Sequence, residues 1–331
     1  MQLLKINRRN LLKFSGASLL VLAGSGLGPS LTSKRKVFRR TDLLMGSFAE
    51  IQLVHDDVKI AHKLIEAAFA EARRIEQLMS RFRKESEIGV INQFARTNAV
   101  AVSAETTATI ARALHWSAVT EGRFDPAIGH LSNIWNLAGS SLLPDKERLK
   151  IMSSQKYYKK VELQKSAEKQ TVRFLLPEIQ LDLGGIAKGY AVDQAAAVLQ
   201  NNGVEQALIN FGGDLRTLGA RESSKSWKIG IRDPYNPDKI AQVLNLRNQA
   251  VATSGNYEQF RSSSSGKLLS HHLIDPQTAR PGRLQFHGLT VVGSNCRDAD
   301  ALATALFFMN NAESEKLLED HTAGFRTIRL G

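Results

Sequence analysis

The sequence predicts an α+β fold in which mixed or antiparallel sheets pack against helices. Strand-like segments follow one another repeatedly without an intervening helix, unlike the regular alternation of a doubly wound α/β protein. A few longer segments carry the 3.6-residue apolar period of amphipathic helices. The chain of 331 residues is also long enough to bury a large core.

The clearest helical pattern lies at 60–80, where Ile60, Leu64 and Ala68 begin an apolar face. A second helix is expected to run from Ser103, a typical N-cap residue, to the glycine at 122. Further helices are expected over 191–200, 298–309 and 312–320.

Strands are expected where apolar residues alternate or run together between turn residues. The expected strand segments are 40–54, a hairpin within 163–180, 206–211, 227–232, 243–246, 251–253, 289–293 and 325–329. The polar stretches 140–150 and 262–267 are expected to be loops.

The segment 181–193, with the sequence LDLGGIAKGYAVD, predicts a short strand, a glycine-rich turn and the start of a helix. Unpaired N–H groups at a helix start attract anionic oxygen, most often phosphate. Neither common phosphate loop matches, because Lys188 precedes its glycine and no G-x-G-x-x-G is present. A tight turn without a ligand is the alternative that this segment alone leaves open.

Residues 1–28 predict an export signal. Arg8 and Arg9 precede a weakly apolar run at 14–27 that glycines and serines interrupt, which resembles a twin-arginine signal. A membrane-spanning helix needs roughly 18 or more apolar residues, so no stable span is expected. We therefore expect a periplasmic protein whose folded domain occupies 37–331, with the cleavage point left open.

The basic composition is concentrated near the N-terminus. The chain holds 44 Lys and Arg against 32 Asp and Glu, a net charge of +12, but nine of the basic residues and no acidic ones lie in the first 40 positions. The remainder holds 35 against 32, or +3, which argues against nucleic-acid binding. Cys296 is the only cysteine, so no internal disulfide can form.

Five further segments carry polar residues at turns or on a helix. They are GRFDPAIG at 122–129, NFGGD at 210–214, TSGNY at 253–257, HHLIDP at 271–276 and DADALAT at 298–304. In the last, Asp300 and Thr304 are four residues apart, so their oxygens project from one helix face. Carboxylate and hydroxyl oxygens suit a hard cation, Mg²⁺ foremost, although a capping or solvated pair is the alternative.

Taken together and in this order, the segments resemble the FAD:protein FMN transferases, the ApbE family. The motifs that carry the resemblance are D-L-G-G-I-A-K-G-Y, N-x-G-G-D, S-G-x-Y, H-x-I-D-P and A-D-A-x-x-T, and it extends from Met45 to about Met309. It implies that the enzyme cleaves FAD with Mg²⁺, releases AMP and attaches FMN to a Thr or Ser of an exported or membrane-bound redox protein. FAD and that acceptor protein are therefore the expected partners.

The resemblance also implies roles for individual residues. Those expected to contact FAD are Met45, Phe82, Arg123, Phe124, Asp125, Asp182, Lys188 and Ile274. Those expected to bind Mg²⁺ are Gly185 through its carbonyl, Asp300 through its carboxylate, and Ala303 and Thr304 through oxygens. His272 aligns with the family histidine that is thought to activate the acceptor hydroxyl, a role that imidazole suits. A core histidine bonded to Asp275 is the alternative for that residue.

Three residues depart from the family pattern. Arg123 stands where the family often has a small residue, and Lys188 occupies a place that some members fill with Glu. Asn256 replaces a common Asp, which removes a possible second base. Two alternative functions stay open: an FAD pyrophosphatase that releases free FMN, and a flavin-binding protein without turnover.

Overall fold

A computed structural model describes residues 19–21, 35–136, 145–166, 169–221, 226–236, 238–255, 260–262, 268–271, 273–282 and 287–330. The helices are α1 (Val58–Met79), α2 (Glu87–Phe94), α3 (Ala104–Val119), α4 (Gly129–Asn136), α5 (Lys146–Ser154), α6 (Ala187–Asn201), α7 (Cys296–Leu306) and α8 (Asn311–His321), with a 3₁₀ turn at Tyr157–Lys160. The strands are β1 (Leu19–Val21), β2 (Lys36–Leu44), β3 (Ser47–His55), β4 (Val100–Ala101), β5 (Val161–Lys165), β6 (Gln170–Phe174), β7 (Ala207–Phe211), β8 (Asp214–Leu218), β9 (Trp227–Arg232), β10 (Ile240–Leu246), β11 (Ala250–Gly255), β12 (Phe260–Ser262), β13 (Leu268–His271), β14 (Ile274–Asp275), β15 (Arg280–Pro281), β16 (Gly288–Gly293) and β17 (Arg326–Leu330).

A seven-stranded sheet forms the centre of the molecule. Its strand order is β17-β16-β11-β8-β7-β3-β2, and every neighbouring pair is antiparallel. Two three-stranded sheets, β1-β9-β10 and β4-β6-β5, and two ribbons, β12-β13 and β14-β15, complete the strand pairing. The predicted α+β fold with antiparallel sheets is confirmed.

Strand β7 of the central sheet is buried on both faces. Along β7, Ile209 and Phe211 join the larger core, whereas Leu208 joins a second core with Trp227 and Ile229 of β9. This alternation follows from the two-residue period of a strand. Helices α1, α6 and α7 pack together on the side of the larger core and contact the sheet there. The two helices that carry the glycine turn and the A-D-A-x-x-T motif are therefore neighbours.

The strongly periodic helices were predicted correctly. The helix expected at 60–80 is α1, which begins after Asp57, whose carboxylate accepts a hydrogen bond from the N–H of Ile60. The helix expected after Ser103 is α3, and the Ser103 hydroxyl accepts a hydrogen bond from the N–H of Thr106. None of the helices in the described ranges combines the length and apolar character that crossing a membrane requires.

Three element predictions are wrong. The single strand expected over 40–54 is the hairpin β2–β3, because Met45 and Gly46 have φ of 51° and 73° and turn the chain back. The loop expected over 140–150 already contains the start of α5, where the carboxylate of Asp145 accepts a hydrogen bond from the N–H of Arg148.

The short strand expected at 181–183 is not a strand either. The N–H of Leu181 donates to the side-chain oxygen of Asn92 at 2.6 Å, and the Asn92 amide donates back to the Leu181 carbonyl at 2.9 Å. The N–H of Asp182 donates to the Pro126 carbonyl at 2.7 Å. Because a side chain and a loop satisfy these backbone groups, the segment stays extended without a partner strand.

Candidate active site

Eleven of the thirteen predicted site residues line one cavity of about 710 Å³. The predicted residues that line it are Met45, Phe82, Arg123, Phe124, Asp125, Asp182, Gly185, Lys188, Ile274, Asp300 and Thr304. Ala303 does not line the cavity and its side chain is buried in the core. His272 and Asn256 lie outside the described residues. The cavity thus collects residues from positions more than 250 apart in the chain.

The glycine turn brings its backbone against α7. A Cβ atom placed on Gly185 would lie 3.0 Å from the Thr304 hydroxyl oxygen and 3.1 Å from the ring of Phe124. Any side chain at this position would therefore fill the space between the turn and Thr304. The absence of a side chain leaves that space free beside the hydroxyl.

Asp300 lies one helical turn before Thr304 and is only 7% exposed. One of its carboxylate oxygens accepts a hydrogen bond from the N–H of Gly189 at 3.0 Å, which fixes the carboxylate against the start of α6. No cluster of three or more His, Cys, Asp or Glu suited to a metal occurs within the described ranges. The Asp300 carboxylate and the Thr304 hydroxyl, one turn apart on α7 and both at the cavity, are oxygen donors of the kind that a hard cation such as Mg²⁺ prefers.

The other acid of this motif serves a different purpose. Asp298 accepts two hydrogen bonds from the guanidinium of Arg112, at 2.7 and 2.8 Å, and one from the indole N–H of Trp116 at 2.8 Å. Burial alone would raise the pKa of Asp298, but these hydrogen bonds and one from Asn295 hold it below its ordinary value. Asp298 therefore anchors α7 to α3.

Arg81 is a cavity residue that the sequence analysis did not identify. Its buried guanidinium donates to Asp182 at 2.6 Å, to the Gly129 carbonyl at 3.0 Å and to the side-chain oxygen of Asn133. Three acceptors hold this cation, so the carboxylate of Asp182 is fixed at the cavity wall. The local sequence marks Arg81 only through its position next to Phe82. Its partner Asp182 is 101 residues away, so no local pattern joins the two residues.

Lys188 lies at the start of α6 and its ammonium group pairs with Asp214 at 3.1 Å. Asp214 follows the turn at Gly212 and Gly213, whose φ values of 63° and 101° favour glycine. Burial raises the pKa of Asp214, while the charge of Lys188 opposes that shift. The N-x-G-G-D motif therefore supplies the counter-charge that keeps a lysine at the cavity.

Asp125 also lines the cavity and is buried. Burial raises the pKa of this carboxyl to about 7, although hydrogen bonds from the N–H groups of Ala127 and Tyr158, at 2.8 and 3.1 Å, favour the charged form. The acid can therefore exchange a proton near neutral pH.

Two residues extend from the cavity towards solvent. Phe82 is 85% exposed, and the guanidinium of Arg81 lies 5.4 Å from the centre of its ring. Arg123 lines the cavity and forms no ion pair with any carboxylate in the part of the chain that the structure describes. An exposed aromatic ring and an unpaired cation are typical of surfaces that contact planar and anionic groups.

A large cavity, a glycine-rich helix start, several cations and a hard-cation donor set define a site for a large phosphate-bearing ligand. Comparison with known proteins identifies the family. The family model described as the ApbE family matches residues 45–328, so the chain belongs to the ApbE family.

Relatives and solved structures agree with this assignment. A protein from Treponema pallidum named FAD:protein FMN transferase is 29% identical over 319 residues, covering 92% of this chain and 87% of that protein. One of the same name from Vibrio cholerae is 31% identical over 245 residues, covering 73% and 72%. The structure of the flavin transferase ApbE from Vibrio cholerae matches with a TM-score of 0.74 and 26% identity over 90% of this chain and 98% of that one. The ApbE protein from Thermotoga maritima matches with a TM-score of 0.76 and 28% identity, covering 89% and 97%.

Proposed function

We propose that this protein is a Mg²⁺-dependent transferase that moves FMN from FAD to a Thr or Ser hydroxyl of a redox protein and releases AMP. Curated relatives that align with most of the chain carry the name FAD:protein FMN transferase. The observation that carries the proposal is the meeting, at one cavity, of the glycine turn with Asp300 and Thr304.

The proposed reaction is a phosphoryl transfer. The acceptor hydroxyl oxygen forms a bond to the phosphorus of the FMN half, the bond from that phosphorus to the bridging oxygen breaks, and AMP leaves with that oxygen. A Mg²⁺ ion held by Asp300, Thr304 and backbone oxygens of Gly185 and Ala303 would offset the charge of the pyrophosphate. Positioning of the two reactants supplies most of the remaining rate enhancement.

Several residues of the chain have proposed tasks in binding. Lys188 and Arg123 attract the phosphate oxygens, and the ion pair with Asp214 keeps Lys188 in place. Asp182, which Arg81 fixes, accepts hydrogen bonds from FAD. His272 takes the proton of the acceptor hydroxyl.

The balance of products tests the proposal. The protein is incubated with FAD, Mg²⁺ and an acceptor domain, and AMP, free FMN and protein-bound flavin are quantified. A transferase yields AMP and covalent flavin in equal amounts. AMP with free FMN instead identifies a pyrophosphatase, and a flavin-binding protein without turnover releases no AMP.

The role of His272 has its own test. The variant His272→Ala is expected to transfer FMN about 10²- to 10⁴-fold more slowly, because a general base acts in the transition state, and to bind FAD as the unaltered protein does. Single-turnover flavinylation and FAD fluorescence titration measure the two effects. A variant that loses FAD affinity and melting temperature along with rate identifies a structural histidine instead.

We also propose export to the periplasm by the twin-arginine route. The proposal rests on Arg8 and Arg9 before the weakly apolar run at 14–27. Because β1 lies within this segment, its pairing with β9 belongs to the precursor that still carries the signal.

A further inference from the structure

We propose that Asp193 is a positioning residue that sets the distance between the two proposed metal-binding segments, the glycine turn before α6 and the Asp300–Thr304 turn of α7. This inference rests on the proposed function, because it concerns the cation site of that reaction. Asp193 does not line the cavity, so it can affect the cation site only through the position of α7.

Asp193 holds the start of α7 from the neighbouring helix. Its carboxylate accepts hydrogen bonds from the N–H groups of Cys296 at 3.0 Å and Arg297 at 2.9 Å. The guanidinium of Arg216 in β8 donates to the same carboxylate at 2.6 Å. The first N–H groups of a helix have no partner within the helix, and a negative charge there is favourable. Asp193 thereby joins α6, α7 and the central sheet.

Two further positions continue these contacts towards the cavity, one on α6 and one in the turn before it. Four residues before Asp193, a Cβ atom on Gly189 would lie 2.7 Å from the carbonyl carbon of Cys296, so the two helices approach backbone to backbone. The N–H of Gly189 donates to Asp300. Four residues earlier, Gly185 faces Thr304.

The contacts therefore run in opposite directions along the two helices. Positions 193, 189 and 185 of the first segment face positions 296, 300 and 304 of the second. Residues 193 and 189 lie on one face of α6, because residues four apart share a helix face, and Gly185 lies in the turn just before that helix. We call this row of three contacts the seam. Asp193 is the only charged group of the first segment in that seam, and it fixes the end farthest from the cavity.

Loss of the Asp193 charge should therefore change the spacing of the cation ligands. Residues that orient metal ligands from outside typically affect metal affinity by 10- to 100-fold. In Asp193→Asn the side-chain oxygen still accepts one N–H bond, whereas the charge opposite Arg216 and the helix start is lost. The variant is expected to bind Mn²⁺, a probe for the Mg²⁺ site, about tenfold more weakly.

The experiment measures Mn²⁺ affinity of the full chain by the electron paramagnetic resonance signal of free Mn²⁺, and FAD affinity in EDTA. The expected result is weaker Mn²⁺ binding with FAD affinity unchanged. Arg216→Met removes the ion pair with Asp193 and leaves the hydrogen bonds from the N–H groups of Cys296 and Arg297. It is expected to weaken Mn²⁺ binding less than Asp193→Asn does. It replaces Asp193→Asn in the experiment if that variant does not fold.

Asp57→Asn is the matched control, because Asp57 also caps a helix through its carboxylate but at the start of α1. Its melting temperature should change little, because Asn and Asp are similar N-cap residues, and its Mn²⁺ affinity should be unchanged. Three results would overturn the inference. They are unchanged Mn²⁺ affinity in both Asp193→Asn and Arg216→Met, a loss of Mn²⁺ affinity in Asp57→Asn equal to that in Asp193→Asn, or no Mn²⁺ binding by the unaltered protein. A protein that binds Mn²⁺ but transfers no FMN would contradict the proposed function alone.

Discussion

At the scale of single residues, Asp125 carries a measurable pH dependence. Its pKa in the folded chain is raised to about 7 from 3.8 because the carboxyl is buried. Folding therefore favours the protonated acid, and this contribution to stability is complete below pH 3.8 and is lost as the pH rises through 7. Each pH unit between the two pKa values corresponds to about 1.4 kcal/mol.

We expect Asp125→Asn, which is neutral at every pH, to reduce the fall in unfolding free energy between pH 4 and pH 8. Urea unfolding at a series of pH values measures this. A variant whose stability falls with pH as steeply as that of the unaltered protein would show that Asp125 is ionised at little cost.

Arg81 gives a second prediction at this scale. In Arg81→Lys the single ammonium group cannot reach Asp182, the Gly129 carbonyl and Asn133 together, because the planar fork of the guanidinium is lost. We expect a loss of about 1–3 kcal/mol in unfolding free energy, with weaker FAD binding. Arg35→Lys is the control, since Arg35 and its partner Glu205 are both exposed, and should change stability by about 0.5 kcal/mol or less. Equal effects of the two substitutions would contradict the role given to Arg81.

At the scale of elements, the approach of α6 to α7 depends on Gly189. We expect Gly189→Ala to cost about 1–3 kcal/mol of unfolding free energy, because the methyl group collides with the carbonyl group of Cys296 and the helices must separate. Gln200→Ala, at an exposed position of the same helix, should have little effect. Thermal melting compares them, and a Gly189→Ala variant as stable as Gln200→Ala would show that the helices can move apart freely.

Local sequence patterns predicted the helices correctly where the local preference and the tertiary packing favour the same structure. The apolar period of α1 and the N-cap at Ser103 gave correct helices, and the spacing of Asp300 and Thr304 correctly assigned them to one face. The i, i+4 rule also separates Asp300 from Asp298, which bonds to α3 instead.

Other features depend on long-range partners that no local pattern contains. The extended segment at Leu181 has the alternation of apolar and polar residues expected of a strand, but Asn92 satisfies its backbone groups from 89 positions away. Arg81 likewise finds its carboxylate far along the chain, and the contact of Asp193 with the start of α7 spans more than a hundred residues. Sequence motifs identified the cavity, whereas the residues that hold it in shape required the structure.

At the scale of the whole molecule, the proposed export signal makes a prediction about location. Replacing Arg8 and Arg9 with lysine should leave the precursor in the cytoplasm, because the twin-arginine route requires the pair. Cell fractionation with an antibody to the folded domain measures this. An unchanged periplasmic yield would indicate another export route, and the same yield in the cytoplasm for both forms would remove the export proposal.

The central claim is that the seam between α6 and α7 holds the cation that FMN transfer requires. Asp300→Asn tests it most directly, because the amide oxygen can still accept the N–H bond from Gly189 while the charge is lost. FMN transfer from saturating FAD to an acceptor domain is measured for both proteins across a Mg²⁺ titration and in EDTA. We expect Mg²⁺-dependent transfer by the unaltered protein, no transfer in EDTA, and a loss of transfer in Asp300→Asn with the melting temperature unchanged. Transfer at the unaltered rate by Asp300→Asn, or in EDTA, would contradict this claim.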